Sequence, residues 1–74
     1  MKDYLVEVID SMQEDTLFEQ TFPTREQATM CAKDKSRRVK DGQYCFVYEP
    51  LDSGVRVRHE YRFNRRIETI EVCW

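Results

Sequence analysis

Glycine is scarce in this chain. Gly42 and Gly54 are the only two, so no glycine-rich loop is present to cradle a phosphate. Two prolines are likewise too few for a linker or a fibrous repeat. Long hydrophobic runs are missing: none approaches the roughly 20 residues that span a bilayer. The start, Met1-Lys2-Asp3-Tyr4, lacks the basic-then-apolar build of a signal peptide. Cysteine is present in an odd number: Cys31, Cys45 and Cys73 stand 14 and 28 residues apart. That spacing suits reduced thiols in a cytoplasm better than a disulfide frame. With no close cysteine pair and one histidine, His59, a zinc site is not expected. No metal or other cofactor, no catalytic residue and no membrane partner are expected.

What is there is a polar chain of 74 residues, short enough for a single domain over 1–74 with one thin core. Charged residues make up 35%, but nine aromatics argue against disorder. Net charge is −2 and unevenly spread: residues 1–24 carry −5, 25–48 carry +3 and 49–74 carry 0. Segregated sign along so short a chain makes a dipolar surface that can steer a partner.

The hydrophobic period divides the chain. Residues 4–9 and 16–22 alternate as strands and, with a short polar connection, predict an antiparallel hairpin. On the second strand, Phe18 and Phe22 share a face. At Pro23-Thr24 the period changes. Thr24 followed by Gln27 is a capping-box pattern. Ala28, Cys31, Ala32 and Val39 then recur at helical spacing, with Lys35 or Ser36 in the gap, predicting a helix over 25–40 stopped by Gly42. Residues 43–49, 55–63 and 67–73 read as three further strands. Turns are expected at 50–54 and at Asn64-Arg65-Arg66. The order β-β-α-β-β-β predicts an α+β fold, with one helix on one face of a mostly antiparallel four- to five-stranded sheet.

Three charged sets are candidate sites. Arg56, Arg58 and Arg62 alternate on one strand face, continued by Arg65 and Arg66 in the turn. Five donors in a planar fork suit each guanidinium to carboxylates and phosphates. The bland alternative is a solvated face whose glutamates, Glu60, Glu68 and Glu71, pair across strands. A secondary basic set lies along the helix: Lys33, Lys35, Arg37, Arg38 and Lys40. The third set is acidic: Glu7, Asp10, Glu14, Asp15 and Glu19 of the first hairpin. Tyr48, Tyr61 and Trp74 are candidate aromatic anchors, whereas Tyr44, Phe46 and Tyr48 read as core. His59 reads as a packed residue, since no nucleophile and oxyanion site can be inferred around it.

The junction Pro23-Thr24-Arg25-Glu26-Gln27-Ala28 and the tail Glu71-Val72-Cys73-Trp74 carry a resemblance. With the element order, they are similar to small phage-encoded inhibitors of the anti-CRISPR type. That resemblance implies a non-enzymatic inhibitor acting in a host cytoplasm on a defence or nucleic-acid-processing complex. It carries over no functional residue. The expected partner is a protein complex, such as a host nucleoprotein, and the chain is expected as a monomer or homodimer. The alternative is a nucleic-acid-binding accessory protein that uses the basic strand and helix residues directly.

Overall fold

The chain turns from strand to helix where its period changes. In the computed structural model, which describes residues 3–50 and 55–73, the order is β1 (Tyr4–Asp10), β2 (Asp15–Phe22), α1 (Arg25–Ser36), β3 (Gln43–Glu49), β4 (Val55–Arg62) and β5 (Arg65–Cys73). The five strands form one antiparallel sheet in the order β2-β1-β3-β4-β5. The fold is the expected α+β arrangement. The turn expected at 50–54 and the Trp74 anchor lie outside the described residues.

The helix begins as its cap dictates. Thr24 is extended (φ −129°), and its hydroxyl accepts from the Gln27 amide at 3.3 Å. Only that half of the box closes, since the Gln27 side chain makes no return bond. Ala28, Ala32 and Ser36 form the buried stripe at a spacing of four. Against Val6, Val8, Val39, Cys45, Val47 and Tyr61 they make the core. The small side chains let α1 lie close over β1 and β3, while β5 stays beyond its main contacts.

The helix ends four residues earlier than its pattern suggested, and Gly42 does not stop it. Ser36 does. Its carbonyl, which a longer helix would offer to residue 40, accepts instead from the Phe63 amide at 3.1 Å. Its hydroxyl donates back to the Lys33 carbonyl at 2.9 Å and accepts from the Asn64 amide at 2.8 Å. Arg37 and Arg38 therefore sit in a tight turn, and Val39 is buried beyond the helix. Gly42 instead takes φ +83° in the turn before β3.

The β4–β5 turn also lies elsewhere than expected. Phe63 and Asn64 form it, at φ 52° and 67°, and β5 starts at Arg65. Two positive φ values suit the two-residue hairpin turn whose twist matches its strands. Phe63 thus leaves the apolar strand face and stands exposed. Leu17 and Ile67 occupy the register shifts of β2 and β5, and both are exposed for that reason.

Candidate functional site

The sheet register sorts the strand residues between two faces. Val6, Val8, Cys45, Val47, His59 and Tyr61 stand on the helix side. Tyr44, Phe46 and Tyr48 stand on the other side, which no helix covers. The core expected of them holds for Phe46 and Tyr48, on this side of the sheet and not beneath the helix, while Tyr44 is half-buried. Phe46 and Tyr48 are buried, but under side chains of their own face. The Arg58 guanidinium lies 4.3 Å from the Phe46 ring centre, and Arg62 lies 5.5 Å from that of Tyr44. Tyr44 and Phe46 stack with centroids 6.0 Å apart.

Arg58 and Arg62 do share the predicted face, yet they lie down on aromatic rings instead of reaching outward. Arg62 also donates to the Gln43 carbonyl at 2.9 Å. Arg56 occupies the same register and has a partner of its own. Among the described residues, the glutamate pairing expected of this face does not form. Glu60 stands opposite Glu68, and Glu7 opposite Glu19, in one transverse row that passes through Phe46. Like charges directly opposite are unfavourable across a ladder. Tyr48 and Tyr61 are both buried, so neither presents its ring as the expected anchor. Tyr48 donates to Glu7 at 3.3 Å. Burial raises its hydroxyl pKa, with Arg58 opposing.

The remaining bases gather at one end of the sheet. The bonds from Phe63 and Asn64 to Ser36 clamp the β4–β5 turn onto the helix C-terminus. Arg65 and Arg66 follow that turn directly, and Arg37 and Arg38 follow Ser36. Lys33 lines one hollow with Asn64, Arg65 and Arg66. Two sets far apart in sequence therefore meet. Among the described residues, Lys33, Arg37, Arg38, Arg65 and Arg66 have no carboxylate within ion-pair distance. Lys40 is unpaired too, while Lys35 points away, its ammonium 4.3 Å from the centre of the Phe18 ring on β2. Phe63, 65% exposed, stands in the turn two residues before Arg65, with its amide bonded to Ser36 next to Arg37. Sequence reasoning missed it by extending the strand alternation one residue too far. The signal available was Asn64, a residue that favours positive φ and so marks the turn.

The acidic hairpin tip, Asp10 to Asp15, lies at this same end but on the other side of the sheet. It is held there by Ser11, whose amide and hydroxyl both donate to the Gly42 carbonyl, at 2.9 and 2.8 Å.

On the helix side, Glu49 ties three elements together. It pairs with Arg25 of α1, and its other oxygen is 2.9 Å from His59 Nε2. His59 Nδ1 is 2.8 Å from the Thr69 hydroxyl on β5. Burial works to raise the Glu49 carboxyl, but the bonds from His59 and Arg25 outweigh it and hold it below the usual carboxylate range. Thr69, His59 and Glu49 have the connectivity of a nucleophile relay, yet Thr69 lies outside the cleft that His59 and Glu49 line. Cys31 and Cys45 are free thiols; burial pushes Cys45 up to about 12, so it is inert at neutral pH. No helix among the described residues is long and apolar enough to cross a membrane.

Comparison with known proteins returns nothing: no family model, no curated protein and no solved structure is significantly similar to the chain.

Proposed function

We propose that the chain is a small non-enzymatic binding protein that engages a larger protein complex through the basic end around Phe63. One observation carries this reading. A large aromatic is held exposed in a left-handed turn, and that turn leads directly into Arg65 and Arg66 and is bonded to the helix end that precedes Arg37 and Arg38. A bulky residue at positive φ costs about 1–2 kcal/mol that Gly or Asn would not. Strain of this kind concentrates where a surface does something. Phe and Arg are both enriched at protein interfaces relative to the rest of the surface.

The inhibitor role, with a host defence or nucleic-acid-processing complex as target in a host cytoplasm, rests on the resemblance at Pro23–Ala28 and Glu71–Trp74. The binding surface supports it only in kind, as a charged patch suited to an acidic protein face. The rival reading, direct nucleic-acid binding, has the same cations in its favour. Against it stands the row Glu19, Glu7, Glu60 and Glu68 across the open face, among the arginines such binding would use.

The test is affinity capture with the tagged chain from its own cells, with nuclease and at two salt concentrations. Arg65→Glu with Arg66→Glu should lose the captured complex, and Arg58→Gln, on the open face and away from the turn, should retain it. Capture that vanishes on nuclease treatment, or falls steeply with salt, selects the nucleic-acid reading instead.

A further inference from the structure

Between α1 and the β4–β5 side of the sheet runs a groove. Two adjoining hollows form it, of about 280 and 540 Å³, and they share Thr29, Tyr61 and Arg66. One wall is a single helix face, Arg25, Thr29 and Lys33, at a spacing of four. The other wall is Asn64, Arg65 and Arg66. The floor is Val47, His59 and Tyr61, with Glu49 and Tyr4 at the far end. The groove stays open because α1 lies chiefly over β1 and β3.

Charge along the groove is graded. Arg25 is occupied by Glu49 at the closed end. Lys33, Arg65 and Arg66 at the open end have no acidic partner. From Arg25 to Lys33 the wall is about 12 Å long, at 1.5 Å per helical residue. That length accommodates three or four residues of extended peptide at about 3.3 Å each.

We propose that this groove binds an extended acidic peptide segment, its carboxylates meeting Lys33, Arg65 and Arg66. The inference rests on the binding role assigned to this end and names what is bound. Geometry favours a peptide over a phosphodiester chain. The cations that line the groove form a short track: Glu49 closes one end, and Lys33, Arg65 and Arg66 stand at the other. A nucleic-acid strand needs cations that continue along its backbone and rings on which bases stack. Here Tyr61 in the floor is buried, Tyr4 is half-buried at the closed end, and the exposed Phe63 ring is not part of the lining. A short acidic segment needs neither.

The experiment titrates the full chain with three labelled probes: a hexapeptide of Glu and Asp with a central Leu, its lysine counterpart, and a six-nucleotide oligothymidylate. Amide shifts are followed by NMR. The acidic peptide should bind and the basic one should not, with shifts at Thr29, Lys33, Tyr61 and Arg66. Lys33→Glu with Arg66→Glu should weaken acidic-peptide binding by about tenfold or more, as expected when charge pairs are reversed. Lys33→Gln with Arg66→Gln, which adds no repulsion, should weaken it less and serves if the reversal disturbs folding. Arg58→Glu, on the opposite face, should leave it unchanged. The proposal is overturned if the oligonucleotide binds more tightly than the acidic peptide, or if the groove variants bind it undiminished. Absence of acidic-peptide binding overturns it as well. In that case, continued dependence of partner capture on Arg65 and Arg66 would leave the binding role standing.

Discussion

Ser36 shows how much one side chain can determine here. It is fully buried and polar, with its hydroxyl both donating and accepting. Ser36→Ala removes the hydroxyl's bonds to the Lys33 carbonyl and from the Asn64 amide, and a typical hydrogen bond contributes about 0.5–1.5 kcal/mol. Urea unfolding should show a loss of that size, with the largest amide shifts at Phe63 and Asn64. Glu49 is the second such residue. Its folded-state pKa is depressed, so the unfolded chain, at about 4.3, binds the proton more readily. The stability Glu49 contributes is therefore present above that value and lost as pH falls through the folded value. Glu49→Gln should be less stable at neutral pH and should lose less stability on acidification. A variant whose acid branch is as steep as the parent's would assign the acid sensitivity elsewhere. Arg58 differs again: it covers Phe46, so its removal uncovers an aromatic as well as a charge.

At the scale of elements, the helix start and the strand pairing follow from local chemistry. Thr24→Ala should cost about 0.5–2 kcal/mol, because the Gln27 amide loses its acceptor. A two-state melt unmoved by the change would separate the cap from the helix's stability. Everything local was legible in the sequence: the period change at Pro23, the alternation from Val55 onward, and the alanines on one helix face. What was not legible is long-range. The helix length depends on Ser36 bonding to a turn nearly thirty residues away. The turn position depends on whether Phe63 continues the strand or leaves it, and alternation alone cannot choose. Which face buries Tyr44, Phe46 and Tyr48 was not legible, because an aromatic row can be covered by a helix or by its own arginines. The site was legible as two basic sets, Arg65-Arg66 and Lys33 with Arg37-Arg38. That they converge, and that Arg58 and Arg62 are occupied on rings, depends on sheet order and register.

For the whole molecule, charge and edges determine how it meets others. Both edge strands, β2 and β5, carry a register shift with an exposed apolar residue and flanking charges. Such edges resist pairing with a second sheet. The chain should therefore run as a monomer, and light scattering at rising concentration should show no dimer. The central claim is that Phe63 is kept exposed and strained because it binds. Phe63→Asn relieves the strain, since Asn adopts positive φ readily. The most direct measurement pairs the unfolding free energy of this variant with its capture of the complex that the parent chain captures. The account predicts unchanged or higher stability, by about 1 kcal/mol, together with binding weakened by about 2 kcal/mol or more, the loss typical of a hot-spot aromatic. A variant that is equally stable or more stable and captures the complex at full strength would contradict it.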